Sequence, residues 1–140
     1  MTRANTIEIV AAVIRDAAGR VLLVRKRGTV AFMQPGGKRD SGEDDITALA
    51  REIDEELGCR LIADSIRPLG EFDAVSANEP GFRVRAALYE IEVSGEIAPK
   101  AEIEAMVWFD PAAPADIPLA PLTRDHVLPL ASRKSVAGNA

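Results

Sequence analysis

The sequence contains a single cysteine, Cys59, so no disulfide bond can form within the chain. It also lacks any apolar run near the roughly 18 to 20 residues that a membrane-spanning helix needs. The start of the chain, Met1 to Asn5, does not have the charged-then-apolar pattern of a secretion signal. These absences predict a cytoplasmic protein that has no membrane partner.

The sequence also lacks an excess of positive charge and has few aromatic side chains. The net charge is −5 at pH 7, which argues against polymeric nucleic acid as the main partner, because binding a phosphate backbone needs a basic surface. Small nucleotides that carry a divalent cation remain acceptable ligands. Aromatic residues make up only 4% of the chain, so few side chains can stack on a base, and Phe32 is one of them.

Length and composition predict one domain. With 140 residues, 47% of them hydrophobic, the chain can bury one sizeable core but is too short for two ordinary domains. We therefore predict a single domain over residues 1–134, followed by a polar tail at residues 135–140.

The most informative segment predicts an amphipathic helix from about Asp44 to Leu57. Ser41 is the expected N-cap, and Gly58 is the glycine that ends the helix. Just before the helix, Pro35-Gly36-Gly37 predicts a tight turn without side chains, where a cation or a phosphate can approach the backbone. The apolar residues of the helix fall three or four positions apart and form one stripe that packs into the core: Ile46, Leu49, Ile53 and Leu57.

Three carboxylates share one patch beside this apolar stripe. Glu52, Glu55 and Glu56 lie within about 100° of one another on the helix, because residues three and four apart are neighbours. Like charges at this spacing repel each other, and the repulsion grows where water is partly excluded. Hard divalent cations such as Mg²⁺ take oxygen ligands, so the patch indicates a metal site. The alternative interpretation is a solvated charged surface.

The spacing from Gly37 to Cys59 resembles the Nudix box, G-x5-E-x7-R-E-U-x-E-E-x-G-U, in which U is apolar. Every fixed position is met, with Cys59 as the final apolar residue. The resemblance is tight over residues 34–59 and looser from Ile7 to Trp108. It implies an α/β Nudix fold, which is a mixed β-sheet sandwiched between helices. It also implies a hydrolase that cleaves a nucleoside diphosphate linked to another group X, with Mg²⁺ or Mn²⁺ as cofactor.

The resemblance also implies roles for individual residues. Arg51 would organise the site by pairing with Glu43, Lys38 would lie close to the phosphates, and Glu52 would activate the attacking water. Glu104 is the near alternative to Glu102 as a ligand from outside the box, and either could instead be a solvated loop carboxylate. The implied metal ligands are the carbonyl of Gly36 and the carboxylates of Glu52, Glu55, Glu56 and Glu102.

Strands are predicted on both sides of the box. Thr6 to Arg15 and Val21 to Arg27 are rich in β-forming residues and joined by a hairpin-like connection, so we predict that they pair. The apolar run Val21–Val24 predicts burial on both faces. A long strand from Phe82 to Val93 changes its apolar phase near Leu88, which indicates a bulge. The remaining elements are a broken strand over Leu61–Val75, a short strand at Met106–Phe109 and a C-terminal helix over Thr123–Arg133.

Basic residues near the strand ends are candidate substrate contacts. The triplet Arg25-Lys26-Arg27 closes the second strand and could face phosphates, with Arg25 and Arg27 as the chosen candidates. Arg83 and Arg85 alternate along the long strand and could contact phosphates or ribose. Exposed strand cations are the common alternative. The candidates for stacking a base are Phe32, Phe72, Phe82 and Trp108, although each is more typical of a core, and Phe32 is the one chosen as a substrate contact.

The substrate follows from patterns that are missing. The sequence patterns typical of the relatives that act on ADP-ribose, diadenosine polyphosphates, coenzyme A and NADH are absent. The resemblance therefore leaves a (deoxy)nucleoside triphosphate as the expected substrate. The alternatives are a hydrolase of a nucleotide sugar or another dinucleotide, a nucleotide-sensing module without turnover, and an acid-rich interaction domain. A homodimer is also left open.

Overall fold

The computed structural model describes residues 5–137, with side chains described to residue 132. The strands are β1 (Thr6–Ile14), β2 (Val21–Lys26), β3 (Gly36–Gly37), β4 (Arg60–Leu61), β5 (Arg67–Val75), β6 (Arg83–Ile91), β7 (Val93–Ser94) and β8 (Ile103–Phe109). The helices are α1 (Asp45–Leu57) and α2 (Leu128–Ala137), with a 3₁₀ turn at Ala63–Ser65 and a π-helical turn at Thr123–Val127 directly before α2. None of the described helices combines the length and apolar character needed to cross a membrane.

The main sheet is mixed and has the strand order β3-β1-β6-β5. β1 runs parallel to β6, from the pair Thr6 and Arg83 to the pair Ile14 and Ile91. The edge strands β3 and β5 are antiparallel to their neighbours. A second, antiparallel sheet is formed by β2 and β8.

Helices cover both faces of this layer. Val10 and Ala12 of β1 belong to a buried core cluster with Leu49 of α1. Ala11 of the same strand belongs to a second cluster with Val127, just before α2. Successive side chains of a strand point to opposite faces, so β1 contributes to both cores. The prediction of a mixed sheet sandwiched between helices is confirmed.

The predicted pairing of the first two strands is wrong. β1 and β2 touch through one bridge between Arg15 and Val21, at the base of the connecting turn, and then join different sheets. One edge of β1 pairs along its whole length with β6 and the other pairs at Val10 and Ala11 with β3, while β2 pairs with β8. The predicted burial of Val21–Val24 on both faces is confirmed, because these residues have no exposed surface.

The phase change predicted near Leu88 coincides with a bulge, but the extra residue lies in the partner strand. Pro68 of β5 pairs with Tyr89 and Gly70 pairs with Leu88, which leaves Leu69 as the inserted residue. At the C-terminus, α2 runs through Ala137, three residues into the segment predicted as a tail. Residues 138–140 lie outside the described part of the chain.

The box helix α1 begins at Asp45, one residue after the predicted start. Its N-cap is Asp44 and not Ser41: the Asp44 carboxylate accepts a hydrogen bond of 2.8 Å from the amide of Thr47. A side-chain oxygen at this position satisfies a free amide of the first turn. Gly58 ends the helix with a left-handed φ of 70°, as the sequence predicts.

Candidate active site

Two glycines bring β3 against the carboxylates of α1. Gly36 pairs with Ala11 at a φ of 151°, and a Cβ there would lie 2.1 Å from the carbonyl oxygen of Val10. A Cβ on Gly37 would lie 2.6 Å from Oε2 of Glu52. A side chain at position 36 would therefore force β3 away from the backbone of β1, whereas one at position 37 would displace the flexible Glu52 carboxylate.

The three clustered carboxylates extend from the interior to the solvent. Glu56 is 3% exposed and accepts a hydrogen bond of 3.1 Å from the amide of Gly36. Burial raises the pKa of Glu56 to about 7 and also raises the pKa of Glu52, because the charged form is poorly solvated there. The side chain of Glu55 is 53% exposed. Glu56 is thus a buried acid that needs a positive partner to ionise at low pH.

Arg51 lies among these acids and makes the contact with Glu43 that the sequence predicts. Its guanidinium forms two hydrogen bonds of 2.8 Å with the Glu43 carboxylate, which lower the pKa of Glu43 to about 2. It also donates to Glu52 at 3.1 Å and to the carbonyl of Lys38 at 3.1 Å, and its NH1 lies 3.5 Å from Glu55. Arg51 therefore ties α1 to the segment that follows the glycines.

Lys26 and Glu102 complete this charged region. The Lys26 Nζ lies 3.9 Å from Oε2 of Glu102, and both residues line the same cleft as Glu52. The positive charge of Lys26 favours ionised Glu52 and Glu56, which opposes the effect of burial on their pKa values. The negative charge of Glu102 instead raises the pKa of Glu56. The charges of this region are thus coupled.

The loop before β8 places Glu102 next to α1. The amide of Lys100 donates to the carbonyl of Glu56 at 2.9 Å, and the amide of Arg27 donates to the carbonyl of Glu102 at 2.7 Å. Glu104 lies two residues further on, in β8, and pairs with Arg25 at 3.0 Å. Of the two acids that the sequence left open, the structure therefore brings Glu102 to the box.

Arg25, in β2, and Arg27, just after it, do not line the cleft, whereas Lys26 between them does. Arg25 pairs with Glu104 and lies over the ring of Phe32 at 5.8 Å, and Arg27 contacts the carbonyl of Ala101 at 3.4 Å. Lys26 shares the α1 face of β2 with Leu22 and Val24, which follows from strand alternation. That period of two is the signal that distinguishes Lys26 from the other two members of the basic triplet.

The other predicted substrate contacts also lie outside the cleft. Arg83 and Arg85 do not line the cleft, whereas Val84 between them does, and Arg85 pairs with Asp73 at 3.1 Å. Phe32 is not a cleft residue either: it packs against the second core and its backbone bonds to Pro118 and Ala120. None of these side chains contacts the carboxylates of α1 in the described part of the chain.

The cleft has a volume of about 370 Å³ and joins the charged region to an apolar wall. Gly36, Gly37 and Lys38 belong to its lining. The predicted tight turn at the glycines is wrong, because Gly36 and Gly37 pair with β1 as strand β3, but the backbone there does border a cavity. The β5–β6 connection contributes Ser76 and Asn78. The apolar wall is formed by Ile7, Ile9, Ala11, Val84 and Leu122.

The cleft also contains a buried polar pair that the sequence did not indicate. The Thr123 hydroxyl donates to Oε1 of Gln34 at 2.6 Å, and both residues are buried. Gln34 directly precedes Pro35 and the two glycines, so proximity to the box was its only sequence signal. Thr123 lies in the π-helical turn, far along the chain, and carried no such signal.

The site fits a hard divalent cation, although the acids are not gathered into a cage. Among the described side chains, no three Asp, Glu, His or Cys residues converge as a metal site. The nearby donors are carboxylate and carbonyl oxygens, which suit Mg²⁺ or Mn²⁺. Glu56 is a buried acid whose pKa is raised, and a cation beside it would favour its ionised form.

Comparisons with known proteins agree with this arrangement. The sequence model of one family, the NUDIX domain, matches residues 6–130. An 8-oxo-dGTP diphosphatase of Haemophilus influenzae is 39% identical over 56 residues, which are 37% of this chain and 41% of that relative. The alignment therefore spans about two-fifths of the relative's length.

Solved structures share the fold over nearly the whole chain. The MutT NUDIX hydrolase of Burkholderia pseudomallei superimposes with a TM-score of 0.71 at 28% identity, covering 91% of this chain and 96% of that one. The MutT protein of Methanosarcina mazei Go1 gives a TM-score of 0.74 at 20% identity, covering 93% and 95% of the two chains.

Proposed function

Since the chain belongs to the Nudix family of hydrolases, we propose that it is a metal-dependent pyrophosphohydrolase of a (deoxy)nucleoside triphosphate. The observation that carries this proposal is the buried Glu56 beside Glu52 and the Gly36–Gly37 strand, at a cleft whose other wall is apolar. Phosphates suit the charged region when a cation is present, and a nucleoside suits the apolar wall. The aligned segment of the 8-oxo-dGTP diphosphatase supports a nucleotide of this class.

The residues that would hold Mg²⁺ or Mn²⁺ are Glu52, Glu55, Glu56, Glu102 and the carbonyl of Gly36. When bound, the cation neutralises the diphosphate and makes its phosphorus easier to attack. Glu52 is the proposed acceptor of the water proton, because it is partly buried and its pKa is raised. Arg51 orients Glu52, and Lys38 and Lys26 hold phosphate oxygens.

We also propose that the protein acts in the cytoplasm, where its nucleotide substrates are found. Its one cysteine is buried and unpaired. The homodimer stays a prediction, and sedimentation of the purified protein would measure it.

The function is tested by a screen of nucleoside triphosphates, 8-oxo-dGTP, nucleotide sugars and dinucleotides with Mg²⁺ and with Mn²⁺. We expect a triphosphate to yield pyrophosphate and a monophosphate only when metal is present. Hydrolysis in ¹⁸O-labelled water then identifies the attacked phosphorus from the labelled product. Tight nucleotide binding without product would support a sensing module, and faster cleavage of a nucleotide sugar would replace the proposed substrate.

Lys26→Met should raise the KM for the triphosphate by about tenfold, because one phosphate contact in a partly buried site is lost. Arg25→Met is the matched control: it removes the same charge from the neighbouring residue, whose partner is Glu104. Steady-state kinetics of both variants show which of these two neighbouring side chains contacts the phosphates. A larger effect of Arg25→Met would mean that Arg25, and not Lys26, handles the phosphates.

A further inference from the structure

A buried amide group without a partner lies in the wall of the cleft. Gln34 is 7% exposed, and its Oε1 accepts the hydroxyl hydrogen of Thr123 at 2.6 Å. Its Nε2 carries two N–H groups and has no hydrogen-bond partner among the residues that the structure describes. Buried donors are nearly always paired, because an unpaired one is destabilising. Gln34 lines the cleft, so a polar ligand there would supply the missing acceptor once the amide turns toward it, because Nε2 has almost no accessible surface as it stands.

Gln34 contacts the side of the molecule away from α1. Thr123 opens the π-helical turn before α2, and Val127 of the same turn packs in the core cluster on the other face of β1 from Leu49 of α1. A nucleotide whose phosphates lie near Glu52 would therefore present a different part to Gln34. The neighbouring lining from β1 and from residues 120–122 is apolar, which suits the flat faces of a base.

The backbone around Thr123 points to the same conclusion. π-Helical turns are rare and occur often at functional sites. Here the turn carries a fully buried threonine whose hydroxyl holds one end of the Gln34 amide. With Oε1 occupied by Thr123, the free hydrogens of the amide are those on Nε2.

We propose that Gln34, positioned by Thr123, is the specificity-determining donor of this cleft. Its Nε2 donates to a carbonyl oxygen of the nucleobase, so that a keto purine such as guanine is preferred over adenine. Adenine carries an amino group where guanine carries its O6 carbonyl, so two donors would face each other. The inference rests on the proposed function for the placement of the nucleotide.

The test compares kcat/KM for dGTP and dATP, with Mg²⁺, in the wild type and in Gln34→Met, which keeps the side-chain volume and removes the amide. We expect the wild type to prefer dGTP by at least about tenfold and Gln34→Met to treat both within about twofold. The ratio is the informative quantity, because any general loss of catalysis affects both nucleotides alike. An equal loss for both would overturn the assignment, and so would a wild-type preference for dATP.

Thr123 variants test the positioning role. Thr123→Val removes the hydroxyl and should reduce the dGTP preference, whereas Thr123→Ser keeps the hydroxyl and should retain it. An unchanged preference in Thr123→Val would exclude Thr123 as the positioning residue. If Gln34→Met does not fold, the double variant Gln34→Met, Thr123→Val removes both polar partners together and takes its place.

A metal-free measurement separates this inference from the proposed function. The shift in melting temperature with dGMP or dAMP reports base recognition without turnover. If no triphosphate is hydrolysed but dGMP stabilises the wild type more than dAMP, and Gln34→Met abolishes the difference, the donor role stands and the proposed function fails. If the triphosphates are hydrolysed but neither nucleotide series responds to Gln34→Met, the donor role fails and the function stands.

Discussion

Replacing Glu56 with glutamine should lower turnover by at least about a hundredfold, which corresponds to about 2.7 kcal/mol of lost transition-state stabilisation. Glutamine keeps an oxygen that can accept the amide of Gly36, so the local backbone is retained. What disappears is the negative charge that would hold the cation. Initial rates at saturating Mg²⁺ measure the loss. Asp54→Asn removes an exposed charge from the same helix and should leave the rate unchanged.

The same substitution should stabilise the metal-free protein near and above pH 7. Burial raises the pKa of Glu56 from 4.5 to about 7, so between these values the folded state keeps a proton that the unfolded state has released. The free energy of unfolding therefore falls as pH rises through this window and is constant above it. The penalty removed by Glu56→Gln is about 3 kcal/mol at pH 8.

Urea unfolding of the wild type and Glu56→Gln, in chelator at pH 5 and pH 8, checks this expectation. The two proteins should differ little at pH 5 and most at pH 8. Glu55→Gln serves as the contrast, since the Glu55 side chain is 53% exposed: its turnover should also fall, but without a comparable gain in stability. A constant difference between wild type and Glu56→Gln across this range would show that Glu56 does not titrate as described.

Gly36→Ala should destabilise the protein by about 3 to 5 kcal/mol, a large part of the stability of a typical domain. The new Cβ would lie 2.1 Å from the carbonyl oxygen of Val10 and 2.8 Å from the Cα of Ala11. These are backbone atoms of a central strand, which cannot turn aside as a flexible side chain does. β3 would have to move away from β1 and carry its neighbour Gly37 away from Glu52.

Gly42→Ala is the matched control for Gly36→Ala. Gly42 also has a positive φ, of 83°, but a Cβ there would meet no atom within 4 Å. It should cost only the conformational penalty, about 1 to 2 kcal/mol. Chemical denaturation measures the free energy of unfolding of both variants, and the difference between their losses is the steric cost at position 36. Equal losses would mean that β3 relaxes freely and that the close approach to β1 is not needed.

The box could be predicted from the sequence because its residues act through spacing within one helix. Glu52, Glu55 and Glu56 are neighbours on the surface of α1, and the contact between Arg51 and Glu43 joins the helix to the residue just before its N-cap, eight positions away. Local periodicity fixes such arrangements before any tertiary contact is known. The N-cap was misassigned because Ser41 and Asp44 are both good caps and the backbone alone decides between them.

Contacts between distant segments could not be predicted in the same way. β2 pairs with β8, and not with β1, whereas β1 pairs along its whole length with β6, from Thr6 with Arg83 to Ile14 with Ile91. Likewise, the contact between Gln34 and Thr123 joins residues separated by 89 positions. Charge alone predicts the arginines around the end of β2 and along β6 as substrate contacts, whereas strand alternation turns Lys26 and Val84 to the cleft.

β3 has a second consequence that concerns association between molecules. It covers only Val10 and Ala11 on one side of β1, with one further bond from the amide of Ala12 to Pro35. β1 is a nine-residue strand with the sequence TIEIVAAVI, which is rich in β-branched and apolar residues. Such a strand with an open edge is a template for intermolecular pairing and aggregation. The pair of glycines that brings β3 beside the carboxylates therefore also covers the middle of this sheet edge, and detaching β3 would expose it to the edge of a second molecule.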